Sequence, residues 1–365
     1  MTSALDVPAY TEVEQQRELI RLHLNEHALT PLPSVARAID VAARQAHQYP
    51  DFFPDALAGA IAQWCGVPEE QVVVGSGSVG VALQLLHAIQ RPGGRLVYAW
   101  RNFDAYPLLA RMTKATPVPV PLKPGGHQDL AALHDALSPD ATAVILCNPH
   151  NPTGTLIDPE ALTDFLDHVP LHITILLDEA YIEFAGPGRA DSLQMLPRHP
   201  NLVVLRTFSK AYGLAGMRIG YAIAHPSLAQ AARSQQLPFG ITKEATAAVH
   251  ASLAATADLH SRIHTITRTR DKLHGALIRQ GWDIPYSHAN FLWLDHPKAA
   301  ELAHLRLYQA GFHTRLYPSE GLRVTVPDAA TAPRIVEALS TIGPLAERLR
   351  LVQREGQGVE SVYEG

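Results

Sequence analysis

The sequence has 365 residues, 47% of them apolar and 18% charged, with a net charge of −5; that is enough chain to bury one large α/β core and a smaller one. No run of lysines or arginines appears, so neither nucleic acid nor an anionic membrane is an expected partner, and no apolar run reaches the roughly 18 residues of a membrane span. Cys65 and Cys147 lie in apolar surroundings without a C-x-x-C spacing, and the N-terminal MTSALDVPAYTEVEQQ carries no apolar signal region, which together fit a cytoplasmic protein with reduced core thiols and a small ligand.

Residues 1–33 read as an arm that packs with the small domain, because LIRLHLNEHALTPLPSVARAI passes two prolines before a helical pattern begins near Ser34. HQYPDFFPDALAGAIAQWCGV is a turn carrying Tyr49, followed by an amphipathic helix. From Gln71 strands alternate with helices: QVVVGSGSVGVALQLLHAI, RLVYAWRNFDAYPLLARM, ATAVILCNPHNPTG, ITILLDEAY and NLVVLRTFSK. Each strand is a short continuous Val, Ile and Leu run, the pattern of a parallel sheet covered on both faces. Residues 34–255 are therefore expected to form a large doubly wound, mostly parallel α/β domain. After Pro238-Phe239-Gly240 one long helix is expected to run to about Gly281 and cross between domains. On it His260 and His264 stand one turn apart, but without the glutamate of an H-E-x-x-H motif they read as a solvated face, and no metal site is expected. Residues 256–365 read as a small α+β domain, with strands in ANFLWLDH and GLRVTV, a helix over about 298–310, a final helix, and a frayed polar tail from about Gln353.

Ligands of such sheets bind at the carboxyl ends of the strands, and those ends carry Ser78, Phe103, Asn151, Asp178, Tyr181 and Lys210. Lys210 stands where an apolar strand stops, with Thr207 and Ser209 before it and Arg218 eight positions after it. A lysine there can form a Schiff base beside an anion-binding cluster, which points to pyridoxal phosphate. That cofactor needs an amine, a carboxylate at its ring nitrogen, donors for its phosphate and a wall for its ring. Taken singly, each candidate has a plainer reading: a loop lysine, a capping aspartate, a packing aromatic, a structural arginine. Together they supply the set. Lys210 offers the amine and a base for the substrate α-proton, Asp178 the carboxylate, Phe103 the wall, and Tyr181 and Asn151 donors to the ring's phenolic oxygen. In GSGSVG the backbone N–H groups of Ser78, Val79 and Gly80 open a helix and can bind phosphate, with the Thr207 and Ser209 hydroxyls and Arg218 offsetting its charge. Arg323, in GLRVTV, suits a bidentate grip on an α-carboxylate.

With these residues in place the chain resembles the fold-type I pyridoxal-phosphate-dependent aminotransferases over roughly residues 24–326. It is most similar to the branch holding histidinol-phosphate aminotransferases and bacterial aromatic amino acid (phenylalanine) aminotransferases. TFSKAYGLAGMRIGYA, CNPHNPTG, DEAYIEF, SHANFLWL and GLRVTV carry the likeness, and VGSGSVG with WRNFDAYP looks more like the aromatic subgroup. The resemblance implies Lys210, Asp178 and Tyr181 as the catalytic set, and a homodimer in which Tyr49 reaches the phosphate of the other subunit. It also implies that Arg323 and Asn151 take the α-carboxylate, that Asn25 and Leu29 of the arm line the substrate pocket, and that amino acid and 2-oxoacid exchange by a ping-pong mechanism, with glutamate and 2-oxoglutarate as the usual second pair. One departure falls where side-chain specificity is set: the family's arm usually reads N-E-N-P-x-G-P, and here it is Asn25, Glu26, His27, Ala28, Leu29, Thr30, Pro31.

Aromatic L-amino acids (Phe, Tyr, Trp) are the expected donors, because between Leu24 and Pro33 the arm has no lysine or arginine and only the weakly basic His27. The alternative within the same chemistry is a histidinol-phosphate aminotransferase or a specialised biosynthetic aminotransferase. A non-catalytic aminotransferase-like binding protein is disfavoured by the intact Lys210, Asp178 and Arg323.

Overall fold

Runs of Val, Ile and Leu with no polar face can be buried only in the middle of a layered structure, and that is where they lie. The computed structural model describes residues 19–343. Its large sheet is built from β2 (Val72–Gly75), β3 (Arg95–Trp100), β4 (Thr116–Pro121), β5 (Ala141–Cys147), β6 (Thr174–Asp178), β7 (Leu202–Thr207) and β8 (Gly220–Ala224), following the short arm strand β1 (Ile20–Leu22). The order across the sheet is β2-β8-β7-β6-β5-β3-β4, and β8 alone runs against the others. Every residue of β5, β6 and β8 is buried, and each such Val, Leu or Ile contributes about 1.5–3 kcal/mol of hydrophobic stabilisation.

The strand β4, TPVPVP, is not marked by the hydrophobic pattern. Pro117, Pro119 and Pro121 remove the N–H at every second position, which the sheet tolerates because β4 pairs only with β3 and forms its edge.

The smaller sheet has the order β1-β10-β11-β9, from β9 (Phe291–Leu294), β10 (Phe312–Tyr317) and β11 (Gly321–Thr325). The arm strand β1 lies parallel to β10, with Ile20 opposite Phe312. The single long helix expected up to Gly281 is instead two helices, Lys243–Ala254 and Thr256–Arg279, parted at Ala255 with φ −102° and ψ 35°. Alanine is the best helix former, so packing rather than propensity makes this break. Beyond it the second helix gives Leu259 and Ile266 to the core of the large sheet and Leu273 and Leu277 to the core of the small one. No helix among the described residues is long and apolar enough to cross a membrane. The polar tail from Gln353 and the first 18 residues of the arm lie outside the described residues.

Candidate active site

The strands β2, β3, β5, β6 and β7 all stop on one edge of the sheet, and the loops that leave them enclose a cavity of about 240 Å³. It brings together Ser78, Val79, Phe103, Asn151, Asp178, Tyr181, Thr207, Ser209, Lys210 and Arg218. Larger hollows of about 760, 610 and 550 Å³ elsewhere contain none of these residues. Chemistry rather than volume therefore selects the site.

Lys210 follows β7 by three residues, and its Nζ donates to the Leu24 carbonyl oxygen at 2.9 Å. Burial and then the nearby Arg323 push its amine down to about 7; Glu26 opposes this, Arg218 adds to it, and Asp178 opposes it. An amine with such a pKa is partly neutral at physiological pH, so it can attack a carbonyl and accept a proton.

Asp178 closes β6. Its Oδ2 accepts from the Tyr106 hydroxyl at 2.9 Å and its Oδ1 from the Ala180 N–H at 3.1 Å. Burial raises its pKa above the usual carboxylate range, while these two donors pull it back. Tyr106 is a site residue that sequence reasoning missed. It lies in the first turn of the helix Ala105–Met112, three positions after Phe103 with the ring centroids 5.8 Å apart, but its hydrogen-bond partner is 72 positions away.

The cavity is also lined by groups that can donate to an anion. The helix Gly77–Ile89 begins at the cavity with the backbone of Ser78 and Val79. Gly77 has φ +76°, and a Cβ on it would lie 2.6 Å from Arg218 Nη2; one on Gly220 would lie 2.3 Å from the Ser78 nitrogen. Neither position admits a side chain without displacing the Arg218 guanidinium or the Ser78 backbone. Thr207 Oγ1 donates to Ser209 Oγ at 3.0 Å and accepts from the Ser209 N–H at 3.1 Å. Gly80 sits in the first turn of the helix and does not line the cavity.

Arg323, in β11, is 6% exposed. Its Nη1 donates to Asn151 Oδ1 and its Nη2 to the His23 carbonyl at 2.6 Å, while the buried Nε has no partner among the described residues. Asn151 Oδ1 being taken, its Nδ2 is the group that can donate into the cavity. Asn25 is buried with φ 55°, a conformation asparagine tolerates. Thr325 Oγ1 and Asn290 Nδ2 hold it there, and its Nδ2 donates to the Tyr181 hydroxyl at 2.9 Å. Burial keeps that phenol protonated, so Tyr181 accepts from the arm and retains a proton to donate.

Arg323 and Asn25 do not line the cavity but bond to Asn151 and Tyr181, which do, and besides Gly80 two further expected residues stand apart. Tyr49 is 81% exposed and packs on Phe239 with ring centroids 4.9 Å apart, away from this chain's cavity. Leu29 is 41% exposed and does not line the cavity; the arm residue that does is Leu24. The arm turns at Asn25, so the side chain just before that turn meets the site, a geometry that the linear motif does not convey. His260 and His264 are exposed.

These groups fit pyridoxal phosphate. The cavity joins a depressed amine, a carboxylate at its base, a helix start with two hydroxyls and an arginine, and an aromatic side chain, and its surplus positive charge suits an anionic ligand. The fold and site are those of a pyridoxal-phosphate-dependent transferase. Residues 17–339 match the family "Aminotransferase class I and II", and the chain belongs to it. It is 42% identical over 339 residues to the aromatic amino acid aminotransferase of Thermobifida fusca, covering 89% of this chain and 92% of that one. With the aromatic amino acid aminotransferase of Cutibacterium acnes it shares 40% over 336 residues, covering 92% and 96%. The structure of histidinol-phosphate aminotransferase from Sinorhizobium meliloti in complex with pyridoxal-5'-phosphate superposes with a TM-score of 0.84 at 28% identity, covering 90% and 92%. The protein is a pyridoxal-phosphate-dependent aminotransferase acting on an amino acid and a 2-oxoacid.

Proposed function

We propose that this protein is a cytoplasmic homodimer that moves the amino group of an aromatic L-amino acid to 2-oxoglutarate. In this reading Ser78, Val79, Thr207, Ser209 and Arg218 hold the cofactor phosphate, Phe103 covers the ring, and Asn151 and Tyr181 donate to its phenolic oxygen. Asp178 meets the ring nitrogen, and Arg323 with Asn151 takes the substrate α-carboxylate. Bound pyridoxal phosphate supplies the electron sink that makes the substrate α-proton acidic. Lys210, freed by substrate, holds and returns that proton at the α-carbon, and its amine near pKa 7 suits both directions of transfer.

The observation that carries the substrate class is the arm. It presents the apolar Leu24 to the cavity, and the one basic side chain between Leu24 and Pro33, His27, is held down at about 4 by burial and by Arg262 and so is neutral at physiological pH. The relatives named aromatic amino acid aminotransferases support the same reading. A phosphate ester would have to be desolvated against such a wall, at a cost of several kcal/mol without a cation partner. The kcat/KM for phenylalanine is expected to exceed that for histidinol phosphate by at least about tenfold. The second reading, a histidinol-phosphate aminotransferase, draws on Arg262, whose Nη1 donates to the Thr30 carbonyl at 2.8 Å and brings a cation beside the arm. Equal or better use of histidinol phosphate in that assay would establish it.

The shared site rests on Tyr49, whose phenol is exposed on the turn before the helix Asp55–Cys65. Mixing Tyr49→Phe with Lys210→Ala chains is expected to restore activity, because one site of each hybrid dimer then carries both defects and the other neither. Mixtures no more active than Tyr49→Phe alone would rule out a Tyr49 shared across the dimer.

A further inference from the structure

Asp178 must face the cavity as an ionised acceptor, yet it sits at the bottom of the sheet's edge where burial favours the neutral acid. The groups that face it come from four elements. From its own strand end comes Glu179, which is spent on Arg206 at 2.9 Å. Cys147, the last residue of β5, is held protonated by burial. Lys210 stands on the turn after β7. Tyr106, on the helix Ala105–Met112, is the only one of these in hydrogen-bond contact with its carboxylate.

The Tyr106 ring is 3% exposed and wedged edge-on against Tyr98 and Phe103, with centroids 6.0 and 5.8 Å away. Its hydroxyl meets Asp178 Oδ2 at 2.9 Å and lies beside the Cys147 thiol, which burial keeps protonated. A phenol has a single proton to give, and an ionised carboxylate accepts it more strongly than the neutral acid does, so the contact favours the charged form as well as the orientation. The packing against Phe103 also ties the orientation of the carboxylate to the side chain that would cover the cofactor ring.

We propose that Tyr106 is a positioning residue for the reaction, fixing the Asp178 carboxylate in the orientation and charge state that meet the cofactor's ring nitrogen. The inference rests on the role proposed above for Asp178.

Tyr106→Phe keeps the ring and removes only the hydroxyl. Pyridoxal phosphate is expected to bind the apoprotein of this variant about tenfold more weakly at pH 8, equivalent to about 1.4 kcal/mol. The kcat for phenylalanine is expected to fall by about the same factor, with KM within twofold of the parent. Losing the donor raises the Asp178 pKa further, so both deficits grow as the pH falls toward 6. In an Asp178→Asn background the same substitution is expected to add nothing to the loss of cofactor affinity, which separates the hydrogen bond from packing. Tyr98→Phe, which removes a neighbouring hydroxyl that does not reach Asp178, is expected to leave affinity and pH profile as in the parent. Parental cofactor affinity and pH profile in Tyr106→Phe would overturn the inference. So would an equal, pH-independent loss in both backgrounds, which is the mark of packing alone. Unchanged cofactor affinity in Asp178→Asn itself would remove the role proposed for Asp178 and the inference with it.

Discussion

Lys210→Ala is expected to lower turnover of phenylalanine by about 10⁴-fold or more, the upper range for loss of a positioned proton-transfer group. Among the described residues Lys210 is the only lysine lining the cavity. The other cation there, Arg218, cannot lose its proton, so no neighbouring side chain can replace the amine. The proposed covalent hold of Lys210 on the cofactor predicts a parent that stays yellow after extensive desalting and a Lys210→Ala variant that releases the colour. Substantial retained turnover in Lys210→Ala would sink the assignment.

The second large effect is expected at Arg323. Replacing it with glutamine leaves Asn151 Oδ1 and the His23 carbonyl without their charged donors and removes the planar fork suited to an α-carboxylate. Truncating one partner of a buried charged pair costs about 2–5 kcal/mol, so kcat/KM for phenylalanine should fall by about 10²–10³-fold, largely through KM. Phenethylamine carries the same ring without a carboxylate, and its use should change little. An equal loss for both substrates would mean that Arg323 supports the architecture rather than the carboxylate. Thermal unfolding of the variant should also come earlier, because groups buried against Arg323 are left unsatisfied at roughly 1–3 kcal/mol each.

What could be read from the chain in advance follows from how each part is specified. The strands that carry the cofactor residues are buried on both faces, so their apolar runs are continuous and stop where the chemistry begins, as at Asp178 and Thr207. Short-range order therefore placed Lys210, Asp178, Asn151, Tyr181 and Arg218 on one rim. The edge strand β4 escaped because proline at every second residue is read as a breaker until an edge position makes it harmless. The parting at Ala255 escaped because no residue type marks it. Tyr106 bonding Asp178, Asn25 bonding Tyr181 and Leu24 standing where Leu29 was expected are contacts between elements distant in the chain. Those depend on register and turn geometry, which periodicity does not encode.

The pairing of Lys210 with an aromatic donor is tested most directly by a single half-reaction. Holoenzyme mixed with excess L-phenylalanine and no 2-oxoacid should release one phenylpyruvate per Lys210 and then stop, with the visible absorbance of the cofactor changing in step. Addition of 2-oxoglutarate should restore the original spectrum and release an equal amount of glutamate. No phenylpyruvate from a protein that has bound the cofactor, with histidinol phosphate giving the stoichiometric burst instead, would contradict the aromatic assignment.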